Sequence, residues 1–217
     1  MKVLVAIPCN DLMHTDFTRS LVGMQVEGQV QFTFAQGSLV YDARNQLADI
    51  AIDNGFDAVL WLDSDMVFES DLFMRMMEDL KTMPLVSAMC YTRKRPIHPV
   101  IYQALYRDSN GVPHADFFDD WPDEPFEVAA VGFGAVMCRT ELLRKVREKY
   151  LRAFSPIAGF GEDLSFCLRV AELGEKMYCD PRIKVGHVGL AIYGETAFRL
   201  EKEARNESRN NGRDAEG

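Results

Sequence analysis

Two aspartates, Asp63 and Asp65, are the residues whose types and spacing point most directly to chemistry. They end a run of five apolar residues in the segment AVLWLDSDMVF (58–68). Because side chains alternate along an extended segment, both aspartates are predicted to project to one face and Ser64 to the other. Close carboxylates raise each other's pKa unless a cation lies beside them, so the spacing favours a divalent metal site. The alternative is a solvated pair in a turn before a helix.

The segments around these aspartates alternate between buried strands and amphipathic helices. Strand patterns cover 3–7, 57–62 and 85–91, and helix patterns cover 42–55 and 70–83, the latter with Ser70 as a candidate N-cap. This alternation predicts a single Rossmann-like α/β domain with a mostly parallel central sheet. Such sheets bind ligands at the carboxyl ends of interior strands, which is where Asp63 and Asp65 are expected.

The second half of the chain predicts a mixed addition to this sheet. Strand patterns at 100–106 and 127–139 have no helix between them, which is typical of antiparallel pairing. Thr140 is then predicted to cap a helix over 141–151, and another helix follows over 162–174. Apolar residues are nearly absent after Leu200, so we divide the chain into a domain over 1–197 and a charged tail over 198–217, expected as a frayed helix or disordered.

Composition limits the classes of partner and compartment. The 24 Lys and Arg residues against 33 Asp and Glu give a net charge of -9, which disfavours nonspecific binding to nucleic acid or anionic membranes. Five scattered cysteines without a Cys-x-x-Cys pair predict reduced thiols rather than disulfides or a zinc site. No apolar run is long enough to span a membrane. These features predict a cytoplasmic protein without membrane insertion.

The ordered set of motifs resembles glycosyltransferases of the GT-A fold. The segment LWLDSDMVF is similar to their DxD motif, and the agreement extends to AIPCND, the ARN helix at 43–45, GFGEDLSFCLRVAELG from 159 and a late VGHVG. The resemblance covers about the first 190 residues. It implies a metal-dependent enzyme that transfers a sugar from a nucleotide sugar, in which Asp63 and Asp65 hold Mn²⁺ or Mg²⁺ and the diphosphate.

The resemblance also assigns roles to residues outside the DxD motif. His187 matches a late histidine that serves as a further metal ligand, although a structural histidine is the alternative. Glu162 and Asp163 match an acidic element that faces the acceptor, and in inverting members the aspartate is the general base. Ordinary charge complementarity at the start of a helix is the alternative for this pair. The resemblance does not distinguish an inverting from a retaining reaction.

Nucleotide and acceptor contacts follow from the same resemblance. Pro8, Cys9 and Asn10 end the first strand, where the family contacts the nucleobase and ribose; Ser64 and Arg44 are also nucleotide-binding candidates. The basic cluster Arg93, Lys94 and Arg95 is a candidate for phosphate or acceptor contacts, and Trp121 for stacking on an acceptor sugar. The alternatives are an exposed helix arginine for Arg44, a solvated loop for the basic cluster and a loop anchor for Trp121. A UDP-sugar is favoured as donor and a GDP-sugar comes next.

Other functions and several acceptors stay open from the sequence. Haloacid-dehalogenase-like phosphatases also place Asp-x-Asp after a buried strand, and Asp119 and Asp120 resemble their later acidic pair. A non-catalytic nucleotide-sugar or carbohydrate-binding module is a further alternative; a nucleotidyltransferase lacks its expected phosphate loop here. Compact GT-A domains of this kind also resemble bacterial and phage enzymes, for which a host cytoplasm is expected. The acceptor is then a saccharide, a protein or a modified nucleic acid base.

Overall fold

The computed structural model describes residues 1–37, 39–189 and 192–213, and describes side chains as far as residue 206. The strands, in chain order, are β1 Lys2–Cys9, β2 Gln29–Gln36, β3 Ala58–Leu62, β4 Met66–Phe68, β5 Leu85–Met89, β6 Ile101–Arg107, β7 Pro113–Phe117, β8 Phe126–Val128, β9 Ala130–Val131, β10 Ala135–Arg139, β11 Met177–Val188 and β12 Ile192–Tyr193. The helices are α1 Thr15–Gly23, α2 Val40–Asp53, α3 Leu72–Asp79, α4 Thr140–Tyr150, α5 Glu162–Ala171 and α6 Glu195–Arg213.

A mixed, mostly parallel sheet forms the centre of the molecule. Its strand order is β12-β11-β5-β10-β3-β1-β2, with β4 and β8 each paired to β11. Strands β2, β1, β3, β5 and β11 run in one direction, and β10 runs against them between β3 and β5. A small antiparallel sheet of β7, β6 and β9 stands beside it. The predicted single α/β domain with a mixed C-terminal addition is therefore confirmed.

Helices cover both faces of the sheet because its inner strands are apolar on both sides. In β3, Val59 and Trp61 pack in the core on the face of α2, α4 and α5. Ala58, Leu60 and Leu62 pack in the core on the face of α1 and α3. All five residues are fully buried, as a strand covered by helices on both sides requires. This packing fixes the end of β3, and with it the position of Asp63.

Several elements and two helix starts differ from the sequence prediction; strands β4, β7, β11 and β12 were not predicted. Helix α1 and strand β2 lie between the first predicted strand and the helix at 42–55, where no element was predicted. The predicted caps Ser70 and Thr140 are wrong, because Asp71 and Arg139 occupy the N-cap positions and neither makes a side-chain capping bond. A turn in which the Leu72 amide donates to the Glu69 carbonyl at 3.2 Å delays the start of α3.

Helix α6 packs against the domain over its first turns. Phe198 is buried, with its ring centroid 5.5 Å from those of both Tyr91 and Trp121. Glu201 accepts hydrogen bonds from the Ile97 amide at 2.8 Å and from Arg95 at 2.9 Å. The predicted boundary between residues 197 and 198 thus falls inside a helix that contacts the loop after β5. In the described part of the chain, no helix has both the length and the apolar character needed to cross a membrane.

Candidate active site

The two aspartates of the DxD segment lie in a turn at the carboxyl end of β3. The Asp63 amide donates to the Gly134 carbonyl at 3.0 Å, and the Met66 amide donates back to the Asp63 carbonyl at 3.2 Å. The predicted extended backbone with alternating side chains is therefore wrong for this segment, because the chain reverses here to form β4. Both carboxylates nevertheless remain partly exposed, with side-chain exposures of 29% for Asp63 and 20% for Asp65.

Pairing between β4 and β11 brings His187 to Asp65. The two strands run antiparallel with His187 opposite Met66, one residue after Asp65. The Val188 amide donates to the Asp65 carbonyl at 2.8 Å and fixes this register. His187 Nε2 lies 3.1 Å from Asp65 Oδ2, so the predicted association of these two residues is present in the structure. The late histidine is near the DxD segment because of strand pairing across 122 residues of sequence.

Arg44 links the DxD segment to the start of α5. It is 2% exposed, and its Nη2 donates to Asp63 Oδ1 at 2.7 Å while its Nε lies 3.4 Å from Glu162 Oε1. The third guanidinium nitrogen, Nη1, is buried without a hydrogen-bond partner among the described residues. A buried donor without a partner is costly, so this atom carries an unmet hydrogen-bond requirement within a residue that lines the cleft.

One cleft of about 390 Å³ collects most of the predicted site residues. The predicted residues that line it are Pro8, Cys9, Asn10, Arg44, Asp63, Ser64, Asp65, Arg93 and Glu162. Gly37, Val40 and Ala43 also line it, and sequence reasoning missed them as site residues. They lie where β2 leads into α2, so a prediction of β2 from its alternating QVQFTFAQ pattern would have directed attention to Gly37.

The basic cluster after β5 divides between the cleft and the protein surface. Arg93 lines the cleft, and its Nη1 donates to Asp65 Oδ2 at 2.8 Å. Arg95 instead pairs with Glu201 of α6 at 2.9 Å, and Lys94 is exposed. Of the three predicted phosphate or acceptor contacts, Arg93 is therefore the one that the structure places beside the DxD segment.

Glu162 and Asp163 form the first turn of α5, but only Glu162 lines the cleft. Gly161 precedes the helix, and Asp163 Oδ1 accepts the Leu164 amide at 2.7 Å. Burial, together with the neighbouring charge of Glu162, raises the pKa of Asp163 to about 6. A carboxyl with this pKa exchanges its proton near neutral pH, as a general base must.

Trp121 lies away from the cleft, in an aromatic cluster with Tyr91 and Phe198. Its ring centroid lies 6.5 Å from that of Tyr91 and 5.5 Å from that of Phe198. These contacts join the loop at 118–123 to α6, so they agree with the alternative that Trp121 anchors a loop. Its candidate role of stacking on an acceptor sugar has no support from its position.

The two aspartates of the turn have opposite shifts in pKa. Burial raises the pKa of Asp63, and the charges of Asp65 and Glu162 add to this, while Arg44 acts in the other direction. Burial also disfavours the charge of Asp65, but its hydrogen bond to His187 and the charges of His187 and Arg93 outweigh burial and lower its pKa. Burial opposes protonation of His187, but the same bond to Asp65 raises the pKa of its ring.

The donor atoms of Asp65 and His187 fit a divalent cation. His187 Nδ1 lies 3.0 Å from the Tyr91 carbonyl and donates to it, which leaves Nε2 as an acceptor in the neutral ring. That nitrogen faces a carboxylate oxygen, so a proton or a metal ion is needed to reconcile the two acceptors. No group of three or more His, Cys, Asp and Glu side chains in the described ranges is arranged to hold a metal. A cation here would therefore take its other ligands from water and substrate.

Comparison with known proteins places the fold. No family model and no curated protein sequence matches the chain. The crystal structure of A197 from STIV matches 87% of this chain and 86% of that one, with a TM-score of 0.58 and 20% identity. GalNAc-T7, solved with UDP, GalNAc and Mn²⁺, matches 87% of this chain with a TM-score of 0.60 and 13% identity. The match covers 43% of the GalNAc-T7 chain, so this chain spans less than half of its length. The chain thus has a glycosyltransferase-like fold of the GT-A type.

Proposed function

We propose that this protein is a metal-dependent glycosyltransferase that moves a sugar from a nucleoside-diphosphate sugar to an acceptor hydroxyl. The observation that carries the proposal is the meeting of Arg44, Asp63, Asp65, His187 and Glu162 at one end of the sheet. These residues come from four separate elements and loops; four of them line a cleft where open α/β sheets bind ligands, and His187 contacts this group through Asp65. The match in fold to GalNAc-T7 supports the same class of enzyme.

The donor nucleotide is proposed to bind along the cleft from Pro8 to Arg93. Pro8, Cys9 and Asn10 supply a wall for the base and ribose, and Gly37 opposite them allows close approach because it has no side chain. Arg44 offers its unpartnered Nη1 to an oxygen of the nucleotide. Arg93, which is 52% exposed, is free to turn from Asp65 toward a phosphate. A UDP-sugar is the favoured donor and a GDP-sugar the next.

Asp65 and His187 are proposed to hold Mn²⁺ or Mg²⁺, with Asp63 beside them. When bound, the metal would neutralise the negative charge that develops on the leaving nucleoside diphosphate. Arg44 holds Asp63 in place through the 2.7 Å bond to its Oδ1, and its charge opposes the rise in pKa that burial causes. The Tyr91 carbonyl fixes the orientation of His187 by accepting from Nδ1 at 3.0 Å. The protein thus prepares the leaving-group side of the reaction through fixed charges.

Asp163 is proposed as the general base for the acceptor hydroxyl if the reaction inverts configuration. Its pKa of about 6 leaves it mostly ionised at neutral pH and able to accept a proton. Glu162 is paired with Arg44, which makes it a positioning residue for the donor side rather than a second base. The acceptor is proposed to be a saccharide or protein hydroxyl, with a modified nucleic acid base as the less favoured class because the chain is acidic.

The phosphatase alternative is less well supported by the positions of its acidic residues. Its later acidic pair would be Asp119 and Asp120, yet neither lines the cleft that contains Asp63 and Asp65. Asp120 is 92% exposed and pairs with Lys202 of α6 at 2.6 Å. In addition, Asp63 Oδ1 is held by Arg44, which ties up an oxygen that a nucleophile would need. We therefore propose one function for this cleft.

A nucleotide panel tests the proposal directly. UDP, GDP, CMP, ADP and dTDP are each added with Mn²⁺ or with EDTA, and the melting temperature is measured. We expect one diphosphate, UDP first, to raise the melting temperature by about 5 to 10 °C only with metal, since ligand at a hundred times its Kd stabilises by roughly 2.7 kcal/mol. No shift with any diphosphate, together with hydrolysis of a phosphomonoester, would favour the phosphatase. Normal UDP-sugar binding without turnover on any acceptor would favour the binding module.

A further inference from the structure

Strand β2 is an open edge of the central sheet. It pairs with β1 in unbroken parallel register over all eight residues, from Gln29 opposite Lys2 to Gln36 opposite Cys9. Within the described ranges, no strand pairs with its other side, and β2 ends the strand order of the sheet. The outward N–H and C=O groups of an edge strand are ready to pair with another strand.

The exposed side chains of β2 are uncharged, and two of them are aromatic. Phe32 is 40% exposed and Phe34 is 46% exposed, and they stand on one face because they are two residues apart. The strand QVQFTFAQ contains no charged residue and no proline, and its register with β1 shows no bulge. Edge strands that stay unpaired usually carry lysines, prolines or bulges that prevent association. Strand β2 has none of these protections.

The surroundings of β2 extend the same apolar surface. Val22 at the end of α1 is 82% exposed, and Val26 between α1 and β2 is 42% exposed. From Gly23 to Gln36 the chain has one charged residue, Glu27, although its net charge is -9 over 217 residues. Two copies of so acidic a chain repel each other over most of their surfaces, so a charge-poor edge is where they can meet.

We propose that β2 is a self-association surface, at which two copies of this chain join their central sheets. The strands pair antiparallel about a two-fold axis at Thr33, as the symmetry of a homodimer allows. In this register Phe32 of each copy lies opposite Phe34 of the other, on the same face of the joined sheet. Direct cross-strand aromatic pairs stabilise antiparallel strands, which selects this register over its neighbours. The occupant is a second copy because β2 is complementary to itself. Antiparallel pairing of two copies satisfies their outward N–H and C=O groups and places phenylalanine opposite phenylalanine.

The first test is the oligomeric state of the purified chain. Sedimentation velocity is measured from micromolar to several hundred micromolar protein for the native chain, for Phe32→Lys with Phe34→Lys, and for the control Val112→Lys. Val112 is 49% exposed just before β7, so this control places one of the two added positive charges at a site away from β2. We expect a concentration-dependent dimer for the native chain and the control. For the double variant we expect the dissociation constant of the dimer to rise about a hundredfold or more, because lysines would then face lysines.

A disulfide test checks the register independently of stability. Cys introduced by Thr33→Cys would meet its symmetry mate at a Cα separation that a disulfide tolerates. The matched control Gln29→Cys would lie roughly 27 Å from its mate, because eight residues of strand separate them. We expect covalent dimers on mild oxidation for Thr33→Cys and none above the native background for Gln29→Cys. A native chain that stays monomeric at every concentration, or a dimer that the lysine variant leaves intact, would overturn the proposal.

Discussion

Two of the carboxylate pairs in the described part of the chain are built in different ways. Asp63 and Asp65 stand at the cleft, while Asp79 at the end of α3 and Asp180 in β11 form a second pair. In the cleft each aspartate has a guanidinium of its own, from Arg44 and from Arg93. The second pair shares one arginine, and its carboxylates are nearly buried, with side-chain exposures of 10% for Asp79 and 2% for Asp180. The difference separates a site prepared for a ligand from a link between structural elements.

Each guanidinium nitrogen of Arg182 donates a hydrogen bond to a carboxylate at the second pair. Its Nε and Nη2 donate to the two oxygens of Asp180 at 2.9 and 3.0 Å, and its Nη1 donates to Glu124 at 2.7 Å. Asp79 lies 3.8 Å from the same guanidinium, too far for a hydrogen bond. Burial, with the adjacent charge of Asp180, raises the pKa of Asp79 to about 6. Asp79 is thus the member of this pair that takes up a proton first as the pH falls, whereas the pKa of Asp180 is lowered against the effect of burial, chiefly by its bonds to Arg182.

The cleft differs because its cations retain capacity for another partner. Arg44 has an unpartnered Nη1, and Arg93 is attached to Asp65 by a single exposed bond. Two carboxylates with partly free cations form a polar surface that binding would complete. Changes in the cleft should therefore reduce function and ligand binding, whereas changes at the second pair should alter stability alone. The following variants test that separation.

The largest effect is expected for Asp163→Asn. An amide cannot accept the proton of the acceptor hydroxyl, so kcat should fall by about 10²- to 10⁴-fold while the fold and nucleotide binding persist. In the native enzyme, kcat/KM should fall as pH drops through about 6, because the base is then protonated. Steady-state rates from pH 5 to 8 check this, with Asp120→Asn as the control, because Asp120 is 92% exposed and does not line the cleft. An unchanged kcat for Asp163→Asn would assign the base elsewhere or favour a retaining reaction.

Arg44→Met should reduce both stability and binding. It leaves Asp63 and Glu162 without their shared guanidinium, which should cost about 3 kcal/mol in unfolding free energy. Urea denaturation measures this loss, and adding Glu162→Gln should restore part of it because the two changes share a partner. Arg182→Met, at the second pair, should leave metal-dependent nucleotide binding intact. Equal losses of binding in both arginine variants would remove the distinction between the two pairs.

The smallest effect is expected for Asp79→Asn and depends on pH. Asp79 binds its proton more tightly in the folded protein, where its pKa is about 6, than in the unfolded chain. This contribution to stability is therefore present below about pH 4 and is lost as pH rises through about 6. Asparagine does not ionise, so the variant does not lose this stability as the pH rises. Its unfolding free energy should exceed that of the native chain by about 1 kcal/mol at pH 7.5, or roughly 3 °C in melting temperature, and by little at pH 5. Thermal melts at the two pH values test this prediction. A loss of stability in the variant at pH 7.5 would refute the raised pKa of Asp79.

The sequence allowed prediction of the parts of the fold that repeat a simple pattern. The apolar run before Asp63 indicated a strand buried on both faces, and Ala58 to Leu62 are fully buried. The alternating QVQFTFAQ pattern of β2 is itself a strand signal, and β2 was missed because the prediction relied on continuous apolar runs. The cap of α3 was wrong because a turn at Glu69–Leu72 precedes the helix, and that of α4 was wrong because β10 leads directly into the helix at Arg139.

The candidate site was partly predictable because motif residues follow strand ends. The position of His187 beside Asp65 followed from the resemblance to a family, whereas its physical cause is the register of β4 against β11. The double pairing of Arg44 with Asp63 and Glu162 spans 118 residues and has no local signature. The division of the basic cluster depends on tertiary packing in the same way, because Arg93 lies at the cleft and Arg95 pairs with Glu201 of α6.

Metal-dependent nucleotide binding by Asp65→Ala tests the central claim most directly. The measurement is the shift in melting temperature with Mn²⁺ and the diphosphate that stabilises the native chain, compared with Asp120→Ala, whose carboxylate is 92% exposed. We expect the native chain and Asp120→Ala to show the shift of about 5 to 10 °C, and Asp65→Ala to melt normally without ligand and show none. An undiminished, metal-dependent shift in Asp65→Ala would contradict the assignment of this cleft as a metal and nucleotide site.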